Sequence, residues 1–323
     1  MSSGLDALLQ SRLAADSYSP WRRRYTQSPS FPFFLLSSIY AFFRNISPPD
    51  DPTSNPFADP TKIRIVCISD THNRILSPAL VPAGDILVHA GDLTQGGTVD
   101  ELRRTLDWLR SLPHPHKILI AGNHDTALAD TDMRNTLNWT GLTYLCDESL
   151  ELTVRDRTLR LFGSPWTPKH GSFAFQYPRD RAVDQWAVIP EIPEGIDVLV
   201  THGPPKGHVD CDGLGCPALL QALWRVRPRM VVCGHIHGGR GVERVKWDVA
   251  QKGWEYVVGR SGRRVGWGDV AIIVGALVWA WIRGVVGRKD KDSEGPGESV
   301  FINCAVVGGV RDQLMRGAVV IDV

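Results

Sequence analysis

The sequence has little net charge, few cysteines and no apolar run longer than 17 residues. The 323 residues carry a formal net charge of +1, so no overall field would attract nucleic acid or an acidic partner. The six cysteines are scattered, and Cys67 and Cys233 lie inside apolar runs, as small buried side chains in a reducing compartment do. Cys211 and Cys216 form a close pair without a second pair nearby, which argues against a zinc ribbon.

Residues 1–60 are predicted to be a leader outside the folded domain. The stretch 47–60 is rich in proline and has no apolar period, as is typical of a linker. The apolar run from Phe31 to Phe43 has 13 residues, which is too short to cross a bilayer, and no clear cleavage site for a signal peptide follows it. Two interpretations stay open: a segment that lies on a membrane surface, or a helix that packs on the domain.

Residues 61–323 are predicted to form one domain in which strands alternate with helices. Leu102, Leu106 and Leu109 recur at helical spacing and predict a helix over 101–111. Short runs rich in β-branched residues predict buried strands. These runs are 63–69, 85–90, 117–121, 159–162, 197–200 and 230–233. The alternation predicts an α/β fold, in the form of an α+β sandwich.

The C-terminal quarter combines a predicted helix, an apolar insertion and two closing strands. Residues 246–259 have near-helical spacing, and we expect that helix to pack on the sheet. Residues 301–305 and 318–323 are predicted to be the closing strands. An insertion at about 262–298 contains the run 270–286, whose 17 residues are apolar except for Arg283. One crossing would put the two parts of the domain on opposite sides of a bilayer, so we expect a helix that packs on the domain or dips into a membrane surface.

Five polar clusters follow the predicted strands, in positions where ligands gather in such folds. His235 and His237 are separated by one residue, so in an extended chain both side chains point the same way, and His202 can join them. Histidine with carboxylate and amide oxygen suits Mn, Fe or Zn. The clusters are Asp70-Thr71-His72, Gly91-Asp92, Gly122-Asn123-His124-Asp125, His202, and Gly234-His235-Ile236-His237.

In order and content these clusters resemble the calcineurin-like metallophosphoesterase superfamily. The stretches 90–94, 201–205 and 234–241 are similar to those of the metallophosphoesterase-domain group, and in particular its fungal-type members. The resemblance implies two central mixed β-sheets flanked by helices and a centre of two divalent metal ions. It implies these ligands: Asp70, His72 and His237 for one ion, Asn123, His202 and His235 for the other, with Asp92 bridging both.

The same resemblance implies roles for four further side chains. His124 would protonate or stabilise the leaving oxygen, and Asp125 would orient His124 by accepting a hydrogen bond from its ring. His208 and Asn73 would contact substrate, although His208 can equally be an ordinary loop histidine.

The leading hypothesis is therefore a dinuclear metal-dependent phosphoesterase that uses an activated water. A phosphodiester substrate, including a cyclic nucleotide, is preferred; a phosphomonoesterase or protein phosphatase is the alternative, and a low-activity metal-bound scaffold is a rival of another class. We expect a small phosphate ester as partner and no nucleic-acid polymer, because long acidic or basic stretches are missing. We expect a cytoplasmic location, with peripheral membrane contact through 31–43 and 270–286.

Overall fold

The computed structural model describes residues 30–44, 61–188, 195–211, 213–259, 265–285, 297–309 and 312–323. These residues form two compact units, one of them a group of three helices and the other a sheet-based unit. The predicted linker, most of the leader and the ends of the predicted insertion lie outside the described residues. The predicted domain boundaries therefore stay predictions.

The sheet-based unit contains a five-stranded mixed sheet built from its first four strands and its last strand. The strand order is β15-β1-β2-β3-β4, in which β1 to β4 are parallel and β15 runs antiparallel to β1. The predicted N-terminal strands and the last closing strand are all present here. The strands are β1 (Arg64–Ile68), β2 (Ile86–His89), β3 (His116–Leu119), β4 (Thr143–Tyr144) and β15 (Val319–Asp322).

A six-stranded mixed sheet forms the second layer of this unit. Four parallel strands lie at its centre, and one antiparallel strand lies at each edge, in the order β11-β12-β10-β9-β6-β5. The strands are β5 (Glu148–Val154), β6 (Arg157–Ser164), β9 (Val198–Thr201), β10 (Met230–Cys233), β11 (Gly241–Lys246) and β12 (Glu298–Asn303). Two short pairs complete the strands: β7 (Thr167–Pro168) with β8 (Gln176–Tyr177), and β13 (Val307–Gly308) with β14 (Leu314–Met315).

Alternation along the strands explains why the two sheets pack face to face. In β1, Ile65 and Cys67 belong to a buried cluster with Val200 and Val232 of the second sheet. The intervening residues of β1 point to the opposite face, where a helix covers them. Apolar residues on both faces of a strand are what a buried parallel sheet requires.

Helices cover the outer faces of both sheets, which confirms the predicted α/β sandwich. Helix α2 (Val99–Ser111) packs on the first sheet, and a capping box between Thr98 and Glu101 fixes its start two residues before the predicted one. On the second sheet lie α4 (Ala182–Val188) and α5 (Pro217–Val226). The short helix α3 (Thr131–Thr136) follows β3.

The three-helix unit consists of α1 (Phe31–Arg44), α6 (Val249–Gly259) and α7 (Trp267–Val285). Tyr40 and Trp254 stack with their ring centroids 4.3 Å apart, and Ile273 and Leu277 are buried in the same cluster. Helix α6 was predicted, with the expectation that it packs on the sheet; its buried residues Ala250 and Val257 belong to a cluster with residues of α1 and α7. Helical spacing identifies an apolar face without identifying the element that covers it.

Helix α7 also carries apolar side chains on its exposed side. Ile272, Val278, Trp279 and Ile282 are exposed, while Ile273 and Leu277 are buried on the opposite face. Within the described parts of the chain, no helix is both long enough and apolar enough to cross a membrane.

Backbone hydrogen bonds join the loops that follow the parallel strands. The amide of Asp70, after β1, donates to the carbonyl of Gly91, after β2. The amide of Gly234, after β10, donates to the carbonyl of His202, after β9. Ser69 and Ala305 form a bridge between the two layers. The carboxyl ends of the parallel strands of both sheets are therefore held at one place.

Candidate metal centre

The seven predicted ligand side chains converge at these strand ends. Six of them, together with His124, form three overlapping donor groups, and the donor atoms within each group all lie within 4.8 Å of one another. The seventh, Asn123, places its Oδ1 atom 3.1 Å from Nε2 of His202. The groups are Asp70, His72 and His237; His72, Asp92 and His124; and Asp92, His202 and His235.

The carboxylate of Asp92 lies between the two predicted metal positions. Its Oδ1 atom is 3.3 Å from Nε2 of His202, and its Oδ2 atom is 3.8 Å from Nε2 of His72. On the far side of His72, Nε2 of His237 lies 3.3 Å from Oδ1 of Asp70. One carboxylate thus presents an oxygen to each of the two donor groups that flank it.

Four histidine rings in the site are oriented by a hydrogen bond at Nδ1. His72 bonds to the carbonyl of Thr94 at 3.2 Å, and His202 bonds to the carbonyl of Ala90 at 2.8 Å. In a neutral ring of the three predicted ligands among them, an oxygen that accepts from Nδ1–H leaves the lone pair of Nε2 directed at the cluster, which is how metal-binding histidines are usually supported. The remaining bonds join His237 to Asp312 at 2.7 Å and His124 to Gln95 at 2.8 Å.

The backbone adopts uncommon conformations where the donors leave the strands. Asp70, His72, Asp92 and His235 all have positive φ, between 45° and 64°. Such conformations are uncommon for residues other than glycine and concentrate at functional sites. They turn each side chain away from the direction that an extended strand would give it.

Two glycines in the site are required by close approach. A Cβ on Gly122 would collide with the amide and carboxylate of Asp92, and its contact with the His202 ring would be only 2.6 Å. A Cβ on Gly234 would collide with the side chains of Ser69 and Asp70. The donors can therefore converge only because no side chain occupies these positions.

The electrostatics of the cluster favour bound cations. Burial opposes ionisation of Asp70, but the hydrogen bond with His237 and the positive charge of His202 outweigh burial and lower the pKa of Asp70. Burial likewise lowers the pKa of His202, yet the neighbouring Asp92 raises it to about 9 overall. The cluster thus combines two buried carboxylates, Asp70 and Asp92, with histidine rings. Divalent ions that bind such a donor set displace the protons from its histidines. The residues present therefore fit a site for divalent metal ions.

His124 and Asp125 differ from each other in role. The Asp125 carboxylate accepts hydrogen bonds from the amides of Leu93, Thr94 and Gly122 and from the hydroxyl of Thr94. Burial, with the charge of Asp92, raises the pKa of Asp125 to about 6. The His124 ring bonds to the carbonyl of Gln95 and not, as predicted, to Asp125. The Asp125 carboxylate instead organises the backbone of the loops around the site.

The two predicted substrate contacts lie in different surroundings. His208 is fully buried, its Nδ1 lies 3.1 Å from Glu243, and its ring meets Phe301 edge-on. Substrate cannot reach a side chain in that position, so the loop-histidine interpretation describes it better. Asn73 is half-buried next to the site, where its Nδ2 donates to Glu101 at 2.7 Å. Its Oδ1 atom is buried without a hydrogen-bond partner in the described residues.

Sequence reasoning missed two side chains that touch the site. Asp312 bonds to His237 from the loop between β13 and β14, and Phe173 contacts the His124 ring with centroids 4.6 Å apart. Neither residue lies in a strand-end cluster, so no motif indicated it.

Comparisons with known proteins agree with this geometry. The calcineurin-like phosphoesterase family matches residues 63–239, which is more than half of the chain. Metallophosphoesterase domain-containing protein 1 of Homo sapiens is 38% identical over 213 residues, which cover 57% of this chain and 63% of the human protein. A UPF0046 protein of Caenorhabditis elegans is 37% identical over 207 residues, which cover 56% of this chain and 71% of that protein.

A third relative is much longer than this chain. A protein of Emericella nidulans named probable rhamnogalacturonate lyase C is 44% identical over 270 residues. The match covers 81% of this chain but only 24% of that protein. With the family match over the strand-end clusters and the converging donors, these findings show that the chain belongs to the calcineurin-like phosphoesterase family.

Proposed function

We propose that the chain hydrolyses phosphate esters at a centre of two divalent cations, with a phosphodiester as the preferred substrate. The observation that carries the proposal is the position of Asp92, whose two oxygens face two adjacent donor groups. A carboxylate in that position suits a shared ligand of two cations. The name of the human relative, a metallophosphoesterase domain-containing protein, supports the same reaction class.

The donor groups define which residues would hold the cations. Asp70, His72 and His237 would hold one, Asn123, His202 and His235 the other, and Asp92 would contact both. When bound, a pair of divalent cations supplies Lewis-acid activation of water and of the phosphoryl oxygens. Mixed nitrogen and oxygen donors suit Mn, Fe or Zn.

The chain itself supplies the proton for the leaving oxygen through His124. Its Nδ1 is held by the Gln95 carbonyl, so Nε2 is the ring atom left to face substrate. The ring lies against His72, with centroids 4.9 Å apart, and is half-buried at the edge of the cluster. When the ring carries a proton on both nitrogens, it can donate the one on Nε2 to a poor leaving group as the bond to phosphorus breaks, and the ring is left neutral.

A phosphomonoester, including a phosphoprotein, is the alternative substrate. The donor set is equally suited to a monoester, so only turnover separates the two classes. The lyase name of the Emericella nidulans protein is not carried over, because this chain covers 24% of that protein and its donor set suits phosphate chemistry.

The test compares bis(p-nitrophenyl) phosphate with p-nitrophenyl phosphate and a panel of cyclic nucleotides, with added Mn, Fe or Zn. We expect faster turnover of the diester, and loss of turnover after chelation that added metal restores. The matched control is Asp92→Asn, which can keep the bond from the His124 amide to Oδ1 and removes only the charge. If no ester is turned over with any of the three metals, the proposed hydrolysis is wrong, and the alternative of a metal-bound scaffold is favoured.

A further inference from the structure

Three aromatic rings lie in a row that leads outward from the candidate metal centre. The rings of His72 and His124 meet edge-on with centroids 4.9 Å apart, and the rings of His124 and Phe173 are tilted by 35° at 4.6 Å. His72 belongs to two of the donor groups, whereas Phe173 offers no ligand atom. The row therefore runs from the metal ligands, through the proposed proton donor, to an apolar ring.

The loop that carries Phe173 is anchored directly after this residue. The amide of Ala174 donates to the carbonyl of Asn123, the residue directly before His124. The next residue, Phe175, is buried and packs against Trp166. Before Phe173, the backbone of Gly171 runs close to the ring, where an added Cβ would lie 3.0 Å from it. The bond from Ala174 to Asn123 thus holds the backbone next to Phe173 against the backbone next to His124.

Phe173 remains 42% exposed despite these contacts. Single exposed apolar side chains are common on protein surfaces and need no function. This one differs because its ring is held against a histidine that is proposed to touch the leaving oxygen. A preformed aromatic surface next to a few polar groups is what a small-molecule site usually offers its ligand.

We propose that Phe173 forms a stacking subsite for an aromatic or heteroaromatic leaving group, such as a phenolic or nucleoside ester. The inference rests on the proposed function, because it assumes that the reacting phosphorus lies over the donor groups. A leaving oxygen within hydrogen-bond distance of Nε2 of His124 brings a ring attached to it close to Phe173. Offset or tilted stacking on that ring is then the favoured contact.

Binding of two phosphonates that cannot be hydrolysed tests the subsite without relying on turnover. Phenylphosphonate and cyclohexylphosphonate are titrated by calorimetry into the full-length, manganese-loaded protein. Because aromatic pairing adds to the effect of area burial, phenylphosphonate is expected to bind about 2- to 12-fold more tightly. Phe173→Leu should abolish this preference, and Phe173→Trp should retain it. Phe42→Leu, which alters an exposed phenylalanine of α1, should leave it unchanged.

The outcomes separate the inference from the proposed function. Equal affinity of the two phosphonates, a preference that survives in Phe173→Leu, or failure of both to bind would overturn the subsite. Thermal unfolding of each variant checks that the side chain and not the fold has changed. If the preference follows Phe173 while no phosphate ester is turned over, the subsite stands and the proposed hydrolysis fails.

Discussion

Oδ1 of Asp312 lies 2.7 Å from Nδ1 of His237, while Nε2 of the same ring lies 3.3 Å from Oδ1 of Asp70. One imidazole thus links a carboxylate outside the site to a carboxylate inside it. The outer carboxylate fixes the tautomer and the direction of the ring, and it raises the basicity of the nitrogen that faces the donor group. We expect Asp312 to be a positioning residue for the first cation.

Asp312→Ala is expected to weaken that cation site without removing a ligand. Loss of an orienting partner typically costs about 10–100-fold in metal affinity, and the partial exposure of Asp312 places the expected loss near the lower end. Competition with a metallochromic chelator measures the affinity. Asp312→Asn, which keeps an acceptor oxygen, should lose less, and Asp107→Ala, an exposed acid on α2, should lose nothing. Equal affinities in Asp312→Ala and the parent would show that the bond does not position the ring.

His124→Ala is expected to lower the rate and leave both cations bound. General acid assistance contributes typically about 10²–10⁴-fold, and the loss should be smaller for esters whose leaving groups need no proton. The measurement is turnover of matched diesters over a range of leaving-group acidity, with metal content determined in parallel. His116→Ala, at the opposite end of β3, is the control. If the variant loses a cation, His124 is a ligand, as its place in a donor group would also allow.

The histidines and acids at the strand ends were predictable because a short apolar run in the sequence marks a buried strand, and the polar residue after the run marks its end. The strands of the structure end at Ile68, His89, Leu119, Thr201 and Cys233, within two residues of the predicted ends, and the site is built on the residues that follow. Parallel strands place such residues at one edge of a sheet. The two-sheet fold and the meeting of the seven predicted donors therefore followed from the sequence and its resemblance to a family.

The directions of individual side chains were not predictable in the same way. Adjacent residues such as His124 and Asp125 leave a turn in directions set by its dihedral angles, and the ring turned to Gln95 instead of Asp125. Asp312 and Phe173 come from loops whose paths depend on tertiary contacts. The partner of α6 was missed for a related reason, because an apolar face does not encode which helix will cover it.

Asn303, at the end of β12, joins the loop that carries His235 and His237 to the loop that follows β9. Its Nδ2 donates to the carbonyl of Ile236 at 2.9 Å and to that of Val209 at 3.0 Å. Asn303→Ala leaves these carbonyls without that donor, so we expect the free energy of unfolding to fall by about 1–3 kcal/mol. Urea denaturation of the metal-free protein measures the change. Asn138→Ala, in an exposed turn, should change it by less than about 0.5 kcal/mol; the same small effect in Asn303→Ala would contradict this account.

The exposed face of α7 gives a test of the proposed peripheral membrane contact. Ile272 is 71% exposed and Trp279 is 58% exposed on that face, and basic residues flank the helix in sequence. An apolar helix face with basic flanks favours an anionic membrane surface. We expect the intact protein to sediment with phosphatidylserine vesicles, and the double variant Ile272→Glu with Trp279→Glu to sediment much less. An intact protein that stays in the supernatant would exclude this contact.

The most direct test of the shared-ligand claim is the number of metal ions that remain bound when Asp92 loses its charge. Asp92→Asn should retain fewer than two manganese ions per chain after loading and dialysis, because the side chain that faces both donor groups no longer carries a carboxylate. Asp100→Asn, in the exposed first turn of α2, should retain two, as the parent should. Metal analysis of the purified proteins gives the number. Two ions retained in Asp92→Asn would contradict the assignment of Asp92 as the ligand common to both cations.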